Sequence, residues 1–413
     1  MIKSGRDLRA FEALQFREFR LLWMGQLTTS MATWMDQVAR GWLLYELTGS
    51  ALQLGLVGVL RVFPLLFLSP VAGTAADLYG RKTQLVASQG INAVVNVVLG
   101  ILILQGGVEP WHIYATGLIA STVQVFQQPP RHALVPESVD AAHLTNAIGL
   151  NSLAFNASRS TGPAIAGILI ALVGPGGSYL TQAVIYLLST LWTIQLRLPN
   201  KPAASALRHA HANDSFLTST VEGWKYVATN PIIRSGLLVS GVISLFGFSF
   251  SGLLPVFAKD VLQAGPTGQG LLLAAMGVGA VGSSILVASS GDNLPKGVLM
   301  ISGVAVYGLC VVAFSTSTIL WVSLALSVVM GVCNVASTAL IQTVLQAESI
   351  PEMRGRVMGA YQQHHILIAL GGLAAGAMTS AWSVQGTVGI FGALCALGAV
   401  AVFVAVPQVR AIR

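Results

Sequence analysis

The sequence predicts an all-α membrane protein of twelve transmembrane helices arranged as two pseudo-symmetric six-helix bundles. Three observations predict it. Of 413 residues, 54% are hydrophobic and 9% are charged, whereas a soluble domain carries about 25% charged residues. So little polar surface cannot cover a globule in water, so lipid must be the solvent for most of the chain. Apolar runs of spanning length recur from end to end, at about 20 residues per crossing. The 44 glycines suit helices that approach closely in a bilayer, where small residues make the contacts.

The runs fall near 19–45, 51–76, 83–104, 111–128, 144–173, 176–196, 235–258, 267–290, 297–316, 319–345, 357–382 and 385–407. They are continuous, unlike the short alternating segments of a membrane barrel. Between them the basic residues are unevenly shared. With the amino terminus inside, the cytoplasmic segments hold Arg17, Arg20, Arg81, Lys82, Arg131, Arg197, Lys225, Arg234, Arg354 and Arg356, among others. The opposite side holds only Lys259. Positive residues stay on the cytoplasmic side, so both termini are expected there. The first twenty residues lack an apolar core with a cleavage site and read as a cytoplasmic tail.

Three segments follow: a bundle over 1–196, a cytoplasmic linker over 197–234 and a second bundle over 235–413. The linker opens with Pro199 and Pro202. Asp214 or Ser215 can cap a short interfacial helix with Phe216, Trp224 and Val227 on one side. PESVDAAHLTNAIG (136–149) aligns with AESIPEMRGRVMG (347–359). Both precede the fifth helix of their half, as expected for an inherited duplication.

A family resemblance enters after the second run. Gly73-Thr-Ala-Ala-Asp77-Leu78-Tyr-Gly80-Arg81-Lys82 resembles the G-x-x-x-D-R-x-G-R-R/K loop of the major facilitator superfamily, with Leu78 in place of the usual arginine. Arg159-Ser-Thr-Gly162-Pro163-Ala-Ile-Ala-Gly167 is similar to the G-P-x-x-G-G motif of exporters, with Ile168 replacing the last glycine. The segments at Phe19–Gln26, Trp42–Ser50, Pro129–Glu137 and Arg354–Val357 look like the branch that includes the enterobactin exporter and macrolide-efflux proteins. The resemblance implies the major facilitator fold, proton-driven export of small organic molecules and a place in the bacterial inner membrane. It also implies that the Gly73–Lys82 loop latches one conformation.

Within that loop Asp77 is expected at a helix amino terminus, where the dipole favours a carboxylate. Arg81 and Lys82 are expected to tie the loop to neighbouring helices and lipid phosphate. The alternative is a topology signal without a gating role. Gly162-Pro163 is expected to bend the fifth helix, because proline removes a backbone hydrogen bond, or to form a packing notch.

Charges inside the spans are the sharpest signal, because each is costly in hydrocarbon. They are Asp36, Arg40, Arg61 and Arg159. Asp36 and Arg40 share a helix face by their four-residue spacing. Asp36 and Arg61 lie at similar distances from the turn at Thr48–Gly49, roughly 13 Å or more below the outer surface. Asp36 is therefore predicted within ion-pair reach of Arg61, Arg40 or both. Asp36 then binds and releases a coupling proton, or the arginines bind an anionic substrate group, or the ions form a permanent lock. His364 and His365 are candidate proton relays. Their neighbouring positions allow only one of them to face a cavity. Gln26, Asn92, Asn96, Gln124, Asn151, Asn156, Asn334 and Gln342 are candidate cavity lining.

No Walker loop, GxSxG elbow or HExxH helix occurs, so the chain is not expected to be an enzyme, and no cofactor is expected. Cys310, Cys333 and Cys395 have no ligand spacing, so neither a metal nor a disulfide is expected. The net charge of +7 fits attraction to anionic lipid rather than to nucleic acid. The expected partners are a small-molecule substrate, protons and membrane lipids, and the chain is expected to act as a monomer. Import of a nutrient or anion by the same fold is the second reading, and a non-transporting membrane sensor the third.

Overall fold

The computed structural model describes residues 9–198, 216–289 and 295–411. Asp214, Ser215 and the prolines of the linker lie outside the described residues, as does the side chain of Asp77. Helices follow one another along the chain: α1 (Arg17–Thr48), α2 (Ala51–Tyr79), α3 (Arg81–Leu104), α4 (Pro110–Glu137), α5 (Leu144–Ile194), α6 (Phe216–Thr229) and α7 (Pro231–Val242). α8 (Gly265–Ser289), α9 (Lys296–Thr316), α10 (Leu320–Ala347), α11 (Arg354–Gln362), α12 (His364–Ala381) and α13 (Val384–Ala405) complete the series. Backbone groups in hydrocarbon must be satisfied within the segment, and helices do this.

Among the described residues, nine helices are long and apolar enough to cross a membrane. α1 and α4 reach 32 and 28 residues but fall outside that set. They carry several of the polar and charged residues of the site below, among them Asp36, Arg40, Ser121 and Gln124.

α5 holds two of the predicted runs in one stretch. Its torsions break at Gly174, at φ 72° and ψ 172°, a left-handed value that suits glycine. The contacts show a reversal there. Leu150 accepts from Trp23, Leu27 accepts from Ser158, and Gly162 touches Met31, so the first part climbs alongside α1. Beyond the break, Tyr186 meets Thr33 and Ser189 meets Gly25, so the second part descends. Gly80, at φ 85°, separates α2 from α3 in the same way.

α4 differs from the expectation. Its predicted run ends near 128 with Arg131 in a loop, but the helix continues through Pro129, Pro130 and Pro136 to Glu137. Proline inside a membrane helix is tolerated where other groups satisfy the freed carbonyls. Arg131 is consequently buried, at 2% exposure.

The chain divides into two compact units. One comprises Met1–Leu43 and Leu60–Ala212, and the other Leu44–Val59 and Asn213–Arg413. In the first unit, Phe19, Leu22, Leu85, Leu134, Ala147 and Leu150 form an apolar core. The second unit includes the tip of the α1–α2 hairpin. There the Tyr45 hydroxyl donates to Asp260, and Lys259 lies 5.3 Å from the Tyr45 ring centre. A Cβ on Gly55 would stand 2.7 Å from the Gly372 carbonyl oxygen, and one on Gly376 would stand 2.5 Å from that of Ala51. These glycines are notches that let the helices meet.

The aligned repeats also correspond in detail. Ser138 and Ser349 occupy the same place in the two segments, and both are buried. Ser138 Oγ donates to the Val135 carbonyl at 2.7 Å, and Ser349 Oγ to that of Leu345 at 2.6 Å. Each hydroxyl bonds a carbonyl in the last turn of the preceding helix.

In the second unit α6 presents Val227 inward, while Trp224 stays 44% exposed. Asn230 caps α7, its Oδ1 accepting from the Ile232 and Ile233 amides, and Pro231 takes the first helical position that suits proline. Arg356 Nη1 pairs with Glu222 at 2.5 Å and ties α11 to α6.

Candidate functional site: a charged cavity in the first unit

Asp36 and Arg40 lie one turn apart on α1. Arg40 Nη2 donates to Asp36 Oδ1 at 2.7 Å and Arg40 Nε to Oδ2 at 3.1 Å, a two-pronged pair. The remaining nitrogen, Nη1, donates to the Ile113 carbonyl at 2.9 Å and to Thr116 Oγ1 at 2.8 Å. α4 makes room for the guanidinium at Gly117, where a Cβ would lie 3.4 Å from Arg40 Nη1. Every polar end of Arg40 is satisfied, which is what makes a buried charge tolerable.

Arg61 of α2 approaches the same carboxylate from the other side. Its Nη2 stands 3.9 Å from Asp36 Oδ2, and its side chain is 34% exposed, against 3% for Arg40. One arginine is therefore locked and the other loosely held. Asp36 meets both.

A cavity of about 190 Å³ opens beside this cluster. Asp36 and Arg61 line it with Thr33, Asn92, Asn96, Ser121, Gln124 and Tyr186. α3 supplies Asn92 and Asn96 one turn apart, and α4 supplies Ser121 and Gln124, so each pair shares a helix face. Such a wall offers donors and acceptors around one carboxylate and one available guanidinium. It can hold a polar or charged group of a small molecule, or pass a proton to and from Asp36.

The other predicted residues lie elsewhere. Arg159 sits over the Trp34 ring at 5.6 Å, a cation–π contact on the α1–α5 face. Gly162 packs beside it. A Cβ there would meet Trp34 Cβ at 2.9 Å and the Met31 carbonyl at 3.1 Å. Torsions remain helical through Pro163, and the break in α5 falls at Gly174. The observed use of Gly162 is thus a notch.

His364 and His365 belong to the second unit. α11 ends at Gln362 and His364 opens α12, so the pair stands at a helix junction rather than inside a continuous helix. Their ring centres lie 4.0 Å apart with the planes tilted by 42°. His364 Nδ1 meets the Tyr361 carbonyl at 2.8 Å and lines a cavity of about 270 Å³ with Trp224 and Tyr361. His365 is exposed.

At the α2–α3 turn, Arg81 pairs with Glu137 at the end of α4, and Lys82 Nζ donates to the Leu196 carbonyl at 2.7 Å. Asp77 lies near the carboxyl end of α2, not at an amino terminus of its helix. Gly73 has open space around it. Of the expected polar lining, Asn92, Asn96 and Gln124 face the cavity. Gln26 bonds Ser30, Asn156 bonds the Ser152 carbonyl and Gln342 bonds Tyr361. The three cysteines are free, and no group of three metal-binding side chains occurs among the described residues.

The residue that sequence reasoning passed over is Arg131. Its two terminal nitrogens are buried without a partner. The Pro129-Pro130 pair beside it reads as a loop in sequence and hid it.

Comparison with known proteins agrees with this architecture. The family model described as transmembrane secretion effector matches residues 9–412. The multidrug efflux pump Tap of Mycolicibacterium fortuitum is 25% identical over 345 residues, covering 82% of this chain and 83% of that protein. The staphyloferrin A transporter of Staphylococcus aureus is 26% identical over 262 residues, covering 62% of this chain and 63% of that protein. Among solved structures, a POT family transporter in complex with 5-aminolevulinic acid superposes with a TM-score of 0.72 at 10% identity, covering 95% of this chain and 96% of that one. A bacterial homolog of the human lysosomal transporter Spinster gives 0.69 at 14% identity, covering 100% and 98%. These two likenesses establish the major facilitator fold. With the family model spanning almost the whole chain, the protein is a multi-pass membrane transporter that belongs to the transmembrane secretion effector family of the major facilitator superfamily.

Proposed function

We propose that the protein is a secondary active exporter of small organic molecules, driven by proton entry and working by alternating access in the bacterial inner membrane. In this reading it crosses the bilayer twelve times, with α1, α4 and both parts of α5 among the crossings, and acts as a monomer with both termini in the cytoplasm. One observation carries the reading. Asp36 lines a polar cavity with one locked arginine and one loose one. A carboxylate with a tight partner and a weak one can exchange the weak one for a proton or for substrate. The efflux pump among the relatives favours outward transport.

The cycle follows from this arrangement. Substrate enters the cavity and takes the place of Arg61 at Asp36. A proton arriving at Asp36 from the outer side neutralises the carboxylate and releases the substrate, and loss of that proton to the cytoplasm lets Arg61 return and restores the starting charge. The Arg81–Glu137 pair at the α2–α3 turn would break and reform as the conformation changes.

The test is transport in proteoliposomes under an imposed pH gradient, with ethidium as a reporter cargo. Proton-dependent extrusion that Asp36→Asn abolishes is the expected result. Extrusion that ignores the gradient would sink proton coupling. A second reading, anion transport, rests on the partly exposed Arg61. It predicts pH-insensitive uptake of an anion that Arg61→Ala abolishes.

A further inference from the structure

Among the described residues, the buried aspartate and arginine side chains are Asp36, Arg40 and Arg131. The first two satisfy each other. Arg131 does not join them. Both of its terminal nitrogens are enclosed and neither has a hydrogen-bond partner. A guanidinium offers a planar fork of donors matched to a carboxylate. Burying that fork empty is unfavourable, so a permanent structural role would be expected to show a partner.

The surroundings of Arg131 repeat the pattern. On α4, Gln124 lines the cavity, and Gln127 and Arg131 continue along the same face, three and seven residues on. Seven residues are two turns, about 10 Å along the helix. On α3, Asn96 lines the cavity and Gln89 lies seven residues before it, on the same face. Gln89 is wholly buried and both of its amide atoms lack partners. Gln127 is 2% exposed, and its Nε2 also lacks one. α3 and α4 touch beside Gln127, where Gln84 Nε2, five residues before Gln89, donates to the Phe126 carbonyl at 2.7 Å. A file of unsatisfied donors thus runs from the cavity toward the ends of α3 and α4 that bear Arg81 and Glu137, and it ends at a cation.

We propose that Arg131, with Gln89 and Gln127, is a second ligand station of the first unit and binds a carboxylate of a small organic anion. Arg131 forms the two-pronged bond and the glutamine amides take the remaining polar atoms. The station lies beyond the cavity, so an elongated anion can reach Arg61 and Arg131 in turn. It rests on the transporter reading only in that the ligand enters through that cavity.

The experiment uses the full-length protein in detergent with citrate as probe, against potassium chloride at matched ionic strength. Citrate is expected to raise the melting temperature of the wild type by on the order of 3 °C. The rise should vanish in Arg131→Met and persist in Arg61→Gln. In chloride, Arg131→Met should melt no lower than wild type, because it removes an unpaired cation. If Arg131→Met does not fold, phenylglyoxal labelling of the wild type decides. Arg131 should be modified in chloride and protected by citrate. A citrate effect that survives Arg131→Met overturns the proposal, as do an Arg131 never reached by phenylglyoxal and an equal effect of inorganic phosphate. Failed ethidium extrusion with citrate protection intact would overturn the exporter reading and leave this site standing.

Discussion

Arg40 holds Asp36 through two nitrogens at 2.7 Å and 3.1 Å, while Arg61 stands 3.9 Å away on the neighbouring helix. The two arginines therefore respond differently to mutation. Arg40→Ala leaves a buried carboxylate with only the distant Arg61 as a partner. It should cost about 3–5 kcal/mol, read as a fall in melting temperature in detergent. Arg61→Ala removes a partly exposed, long contact and should cost under about 1 kcal/mol, while still damaging transport. Equal destabilisation by the two would show that Arg61 is structural.

Gly162→Ala should destabilise by about 1–3 kcal/mol through overpacking. The new methyl meets Trp34 Cβ and the Met31 carbonyl, neither of which is the end of a flexible chain. Gly73→Ala, in open space, is the matched control and should leave the stability within about 0.5 kcal/mol of wild type.

Tyr45→Phe deletes the hydroxyl that donates to Asp260 and leaves the ring under Lys259. A bond to a charged acceptor contributes about 1.5–3 kcal/mol. Hydrogen exchange should quicken over 254–262 and 45–55 and stay unchanged over 144–173. Uniform quickening, or none, would contradict the pairing.

A double-mutant cycle on Arg81→Ala and Glu137→Ala should return a coupling of about 0.2–1 kcal/mol, because both side chains are partly in solvent. The same pair should weaken as salt rises. A coupling insensitive to salt would mean that the turn is buried during the measurement.

Much of this was legible in the sequence, for identifiable reasons. Asp36 and Arg40 met because four residues bring side chains to one helix face. Asp36 and Arg61 met because a hairpin places equal distances from its turn at equal depth. Arg159 was assigned to the charged group by its depth alone. Its placement over Trp34 depends on how α1 and α5 pack side by side, which one-dimensional spacing does not report. Arg131 was lost because two prolines before a basic residue resemble a helix end. The histidines illustrate the same limit, since the interruption at Gln363 leaves no proline or glycine mark.

The tip of the first hairpin, 44–59, belongs to the second compact unit. A gene divided after codon 196 would consequently yield an amino-terminal fragment whose hairpin tip lacks its bedding. Gly55 would lose the backbone at Gly372, Ala51 would lose the notch at Gly376, and Tyr45 would lose its acceptor. Two separately synthesised fragments would have to find each other at that tip before either is whole, so complementation by co-expression should depend on Gly55 and Gly376 more than on the severed linker.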